Sequence, residues 1–296
     1  MPAFLRKILA MHKALKARSR AYRVVLVLVT VILGVFMGGC ASVFFGQSRL
    51  VFMPPAKAAW RPSDAGLSYE DVYVEAAPGE TINAWYIPVD AARGTVIFAH
   101  GNGESLPYLF DYIDFYRTLK VNVLAFDYRG YGASAGKPSE KATYEDALAA
   151  WKYLTETRGI PSSQIVLVGR SLGGAVMANL ASKVQPAGLI LESSFTSIPD
   201  VGAHYYPWLP IRLIARIHYD TKDIMADIHC PILIAHSPSD EVIPYSHGRT
   251  LFKLANEPKT FVNMTAGHND SPWDKGQDFR TAVDLFLGKC FSGTME

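Results

Sequence analysis

The chain has 296 residues, 49% of them hydrophobic, and carries 29 Lys and Arg against 27 Asp and Glu, a formal charge of +2. Seven of the basic residues lie before Val24; without them, 22 basic residues face 27 acidic ones, a balance of −5. A body of that sign with no basic stripe is a poor partner for nucleic acid, and its apolar content suits one α/β domain of about 250 residues plus a short leader.

Residues 1–40 have the layout of an export leader. A basic stretch from Arg6 to Arg23 precedes the uncharged run Val24 to Met37 and the small residues Gly38-Gly39 before Cys40. Met37-Gly38-Gly39-Cys40 resembles a bacterial lipobox, whose cysteine receives lipid and becomes the mature N-terminus. Cys40 is therefore the candidate lipidation site, with the body facing the periplasm. The second reading is an uncleaved inner-membrane signal anchor, since residues 24–45 carry no charge and are long enough to cross a bilayer. Two small residues directly before a cysteine favour the first. For Cys230 and Cys290, a disulfide in an oxidising compartment and two unpaired thiols both stay open.

Residues 41–68 read as a Pro-containing tether, and residues 69–290 as one domain. Its first runs, Asp71 to Val74 and Ile82 to Ile87, predict antiparallel strands around a turn at Pro78-Gly79. From Thr95 onward, continuous apolar strands alternate with helical stretches: Thr95 to Ala99, Val121 to Phe126, Ile165 to Val168, Leu189 to Leu191, Ile232 to Ala235 and Thr260 to Val262. Tyr144, Leu148, Trp151 and Leu154 recur at helical spacing and predict a packing face. The pattern predicts a mostly parallel sheet with helices on both faces. At about 197–228 the rhythm breaks into a small cap. Its Tyr205, Tyr206, Trp208, Leu209, Ile211 and Ile214 are expected to line an acyl pocket or to pack the cap onto the sheet.

Gly169-Arg170-Ser171-Leu172-Gly173, between an apolar strand and an Ala-rich helical run, has the form of a nucleophile elbow. A serine hydroxyl needs a histidine to take its proton and an acid to hold that histidine, in the order Ser, acid, His. Asp240 and His268 follow their own strands in that order, with Glu192 as rival acid. His100-Gly101-Asn102-Gly103, after the first parallel strand, predicts an oxyanion turn. The backbone N–H groups of Asn102 and Leu172 are the expected donors, and His100 is expected to serve structure. The eight histidines are scattered with no zinc spacing, so no metal is expected.

His100 to Glu104, Asp127-Tyr128-Arg129-Gly130-Tyr131-Gly132, the elbow, Ser193-Ser194-Phe195-Thr196-Ser197, Pro238 to Pro244 and Gly267-His268-Asn269 together resemble the α/β-hydrolase superfamily. They are most similar to its membrane-associated branch, which includes eukaryotic protein depalmitoylases, lysophospholipase-like enzymes and many bacterial lipoprotein hydrolases. The resemblance runs from about Ala76 to Leu287. It implies an α/β-hydrolase fold, Ser171 as nucleophile, Asp240 as acid, His268 as base, and hydrolysis of an acyl ester or thioester, lipid-like in substrate and without a cofactor. His236-Ser237 departs from the family's usual His-Gly before the acid. A serine peptidase of prolyl oligopeptidase type, which usually carries a propeller domain, and a non-catalytic hydrolase-like scaffold are the alternative readings.

Overall fold

The computed structural model describes residues 3–293. A long helix, α1 (Ala3–Val51), runs through Cys40 without a break. It continues past the expected start of the tether because no proline occurs from Ala3 to Met53, and Pro54-Pro55 follow where the helix has just ended. Arg20–Val51 is long and apolar enough to cross a membrane. Residues 3–47 and 48–293 fall in two separate compact units.

In the second unit, β1 (Glu70–Ala77) and β2 (Glu80–Ile87) form the expected hairpin. There follow β3 (Thr95–Ala99), α2 (Phe110–Thr118), β4 (Asn122–Phe126), α3 (Glu140–Lys152), β5 (Ile165–Arg170), α4 (Leu172–Ala181) and β6 (Gly188–Glu192). The cap comprises α5 (Ile198–Tyr205), α6 (Ile211–Ile214) and α7 (Thr221–Ile224), and the chain closes with β7 (Ile232–His236), α8 (Tyr245–Leu254), β8 (Lys259–Asn263) and α9 (Gln277–Ser292). Among the described residues the sheet has eight strands in the order β1-β2-β4-β3-β5-β6-β7-β8. Every pairing from β4 to β8 is parallel.

Successive side chains on a strand point to opposite faces, so strands covered on both sides must be apolar throughout. Ile97, Leu124, Leu167, Leu189 and Ile234 meet α3, α4 and α8 through Trp151, Val176 and Leu251. Their neighbours Val96, Val123, Val166, Ile190 and Leu233 meet α2 and α9 through Tyr116, Phe279 and Val283. In α3, Trp151 and Ala147 are buried while Tyr144 and Leu148 pack at the margin of the same cluster, and Ser139 caps its start by accepting the Ala142 N–H at 3.1 Å.

The cap is fastened at both ends. Ser197 caps α5, and Glu140 of α3 accepts the backbone N–H groups of His218 and Tyr219, each at 2.8 Å. Three of the aromatic residues expected to line a pocket or pack, however, face solvent: Tyr205 is 46%, Tyr206 52% and Trp208 67% exposed, while Leu209 and Ile211 are buried. A four-residue helix has one inward position, and in α6 Ile211 takes it, packed over Gly202.

Candidate active site

The parallel strands end along one edge, where ligands of open α/β sheets bind. β5 ends at Arg170 and α4 starts at Leu172, so Ser171 alone makes the turn, at φ 52° and ψ −117°. A residue with a Cβ is strained there. The strain persists because backbones meet around the turn. A Cβ on Gly169 would lie 2.2 Å from Gly173 O, and one on Gly173 would lie 2.0 Å from Ala99 O. Glycine at both places lets α4 begin against β3 and β5, and Ser171 N–H is held on Glu192 O at 2.8 Å.

His268, in the loop after β8, places Nε2 3.1 Å from Ser171 Oγ. Its Nδ1 lies 2.9 and 3.0 Å from the two oxygens of Asp240, in the loop after β7. A carboxylate at Nδ1 calls for the proton there, which leaves Nε2 as an acceptor for the serine hydroxyl. Burial alone would push the Asp240 carboxyl up. The hydrogen bond and charge of His268, with the Ile243 and Val242 N–H groups, outweigh it and hold the carboxyl below its usual range. His236 lies beneath, its Nε2 2.9 Å from Ile243 O, and burial lowers its pKa, so it stays neutral. Ser237, where the resembled family has glycine, completes the turn by accepting Ser239 N–H at 3.0 Å.

The turn after β3 is held from several sides. Asn102 O accepts the Tyr131 hydroxyl at 2.9 Å and the Met53 N–H at 3.2 Å, and the Asn102 side chain donates to Val51 O at 3.2 Å. Leu172 is the first residue of α4, so its N–H belongs to the helix end that has no intrahelical acceptor. His100 is fully buried, with Nδ1 2.7 Å from Gly101 O and Nε2 3.4 Å from Asp127 Oδ1, the structural place expected for it.

The structure thus brings Ser171, Asp240 and His268 together. Glu192 is bound elsewhere: its Oε1 receives Lys275 Nζ at 2.5 Å and the Tyr112 hydroxyl at 2.8 Å. The sequence reading missed this buried cluster and its partner, Arg170, which pairs with Glu104 at 2.7 Å and donates to the His268 carbonyl. Arg170 and Glu104 stand inside the quoted motifs, so a charge beside the nucleophile and another in the oxyanion turn were a usable signal; nothing marked Lys275 or Tyr112. Cys40, Cys230 and Cys290 are free, and burial pushes the Cys230 and Cys290 thiols up to about 12.

A family model described as "Hydrolase_4: Serine aminopeptidase, S33" matches residues 90–223. An uncharacterized protein of Mycobacterium tuberculosis is 34% identical over 273 residues, 91% of this chain and 96% of its own. The alpha/beta hydrolase domain-containing protein WAV2 of Arabidopsis thaliana is 32% identical over 284 residues, 86% of this chain and 92% of its own. The solved Pyrococcus furiosus esterase Pf2001 shares the fold with a TM-score of 0.69 at 21% identity, covering 81% of this chain and 100% of that one. Relatedness over nearly the full length of both chains, on a sheet of this order, makes the protein a member of the α/β-hydrolase superfamily.

Proposed function

We propose that the protein is a serine hydrolase that cleaves carboxylic ester or thioester bonds of acyl substrates through an acyl-enzyme intermediate. The observation that carries this reading is the continuous line from Asp240 through His268 to Ser171, with contacts of 2.9 and 3.1 Å, at a strained turn. Ser171 Oγ attacks the substrate carbonyl carbon, and its proton passes to His268 Nε2 while Asp240 stabilises the imidazolium. The N–H groups of Asn102 and Leu172 receive the oxyanion. The carbon–oxygen or carbon–sulfur bond then breaks, and the leaving alcohol or thiol takes the proton from His268. A water gives a proton to the same nitrogen and attacks the acyl carbon; the acid departs and Ser171 regains its proton.

A lipid-like acyl substrate is proposed because of the N-terminal segment. The 32 residues of Arg20–Val51 reach about 48 Å as a helix, beyond the roughly 30 Å of a hydrocarbon core. This supports membrane association through the N-terminus and a place in the membrane-associated branch. Cleavage before Cys40 and lipidation of its thiol, with the catalytic body periplasmic, is proposed from Met37-Gly38-Gly39-Cys40 and not from the helix length; the uncleaved anchor is the alternative. The matched family model's description supports a second reading, a serine aminopeptidase. The peptidase alternative and the non-catalytic scaffold are separated from the esterase by one experiment. A fluorophosphonate should label Ser171 in the wild type and not in Ser171→Ala, and p-nitrophenyl esters should turn over while aminoacyl p-nitroanilides do not. Anilide turnover would shift the assignment to a peptidase, and an unlabelled wild type would leave only the scaffold.

A further inference from the structure

We propose that Arg170 is a positioning residue whose single guanidinium fastens the oxyanion turn and the histidine loop to the nucleophile elbow. The inference rests on the reading of Ser171 as nucleophile and His268 as base. Arg170 precedes Ser171 directly and is 3% exposed. Its Nη1 pairs with Glu104 Oε1 at 2.7 Å, and Glu104 Oε2 accepts the Gly101 N–H at 2.8 Å, one residue before Asn102. Its Nη2 donates to the His268 carbonyl and, at 3.1 Å, to Asn269 Oδ1. A planar guanidinium presents donors on separate nitrogens at fixed angles and so fixes the direction of acceptors on two loops at once, whereas the donors of a lysine rotate on a single nitrogen.

The charges behind it balance. Arg170 Nε lies 3.6 Å from Glu192 Oε1, the same oxygen that receives Lys275 Nζ at 2.5 Å. Two cations and two anions therefore share one buried site, where a lone charge would be costly. Burial would push the Glu104 carboxyl up, but the Arg170 charge outweighs it and keeps it ionised. The described contacts of the four side chains run to one another, to Tyr112 and Asn269, and to backbone, not to the Ser171 hydroxyl or the His268 ring. The cluster is fitted to set where the loops stand. Two of its bonds end on the backbone of His268 itself and on the residue before the oxyanion donor, where a displacement of about 1 Å can cost on the order of 100-fold in rate.

The test uses the full chain in detergent with p-nitrophenyl butyrate, measuring kcat, KM, the rate of fluorophosphonate labelling and Tm for Arg170→Lys, Glu104→Gln and the double variant. The expected result is a loss of roughly 10- to 100-fold in kcat and in labelling rate for each single variant, with KM within about threefold. The double variant should be no worse than the worse single, because both break one tether. Arg170→Lys, which keeps the charge, should hold Tm near the wild type without recovering kcat. Glu104→Gln, at the rim of the cluster and still able to accept the Gly101 N–H, carries the test if Arg170→Lys does not fold. Folded variants with kcat within about threefold of the wild type, or losses that follow Tm and are restored by lysine, would overturn the proposal. A Ser171→Ala control separates the two readings. Turnover retained there defeats the serine mechanism, whereas an inactive Ser171→Ala beside fully active Arg170 and Glu104 variants defeats the positioning role alone.

Discussion

Ser171 holds a conformation that few side chains tolerate, and the cost can be measured. A residue with a Cβ at φ 52° and ψ −117° is strained by about 1–3 kcal/mol, whereas glycine brings an unfolded-state entropy cost of about 0.5–1 kcal/mol. Ser171→Gly should therefore be more stable than Ser171→Ala by about 1 kcal/mol, read as a later denaturation midpoint at unchanged slope, with both variants inactive. Equal midpoints would mean that the turn stores no strain. Asp240 supplies a second residue-scale prediction. Its carboxyl is held below the usual range, so its contribution to stability is present above the unfolded value near pH 4 and is lost as pH falls through the lowered native value. The Tm gap between wild type and Asp240→Asn should thus narrow below about pH 4. In activity at neutral pH, Asp240→Asn should lose most of kcat, up to about 10⁴-fold, because the wrong imidazole tautomer is held. Glu192→Gln should lose less, since Glu192 is bonded to Lys275 and Tyr112 and not to the imidazole; the reverse order would reassign the acid. The three residue types were readable because each follows an apolar strand in the expected order. The partners of Arg170 were not, because a charge in a motif does not say which distant charge will face it.

Elements decide how closely these residues approach. α4 can start beside β3 only because Gly173 has no Cβ, and Gly173→Ala should cost at least about 3 kcal/mol or prevent folding, as backbone atoms at 2.0 Å cannot yield. A variant as stable as the wild type would show that α4 is free to move away. The cap gives the opposite case. Its aromatic residues, read as composition, were expected to line a pocket or to pack the cap, yet Tyr206 is 52% and Trp208 67% exposed. Trp208→Ala should shift stability by no more than about 0.5 kcal/mol. It should also leave the dependence of kcat/KM on ester chain length unchanged, and a selective loss on long esters would return the side chain to the acyl site. Strand existence and order were legible from continuous apolar runs, since both faces of the sheet are covered. The end of α1 was not. Ala41 to Val51 contains no proline, the helix runs on through its one glycine, Gly46, and small residues after an apolar run look alike whether the helix stops or continues.

For the whole molecule, the N-terminal segment is expected to govern location and the second unit to govern chemistry. The full chain should sediment with membranes, and a truncation beginning at Ser48 should remain soluble with kcat unchanged. One beginning at Ala56 should lose about tenfold or more, because it lacks Val51 and Met53, which bond Asn102, and Phe52, which packs on Tyr219. Mass spectrometry of the membrane form should find lipid on Cys40; an intact N-terminal segment with an unmodified thiol would establish the anchor instead. Alone, the sequence determined the alternation of strands and helices, the sheet edge on which Ser171, Asp240 and His268 lie, and the glycine turns that admit them. Those features are set by local periodicity and by steric limits on single residues. Only the tertiary structure decided which acid meets His268, which charges neutralise one another, and which cap residues are covered. Arg170 and the His268 carbonyl are 98 residues apart, and Lys275 and Glu192 are 83 apart. Such pairings arise where separate strand ends converge, and no repeating pattern along the chain encodes that convergence.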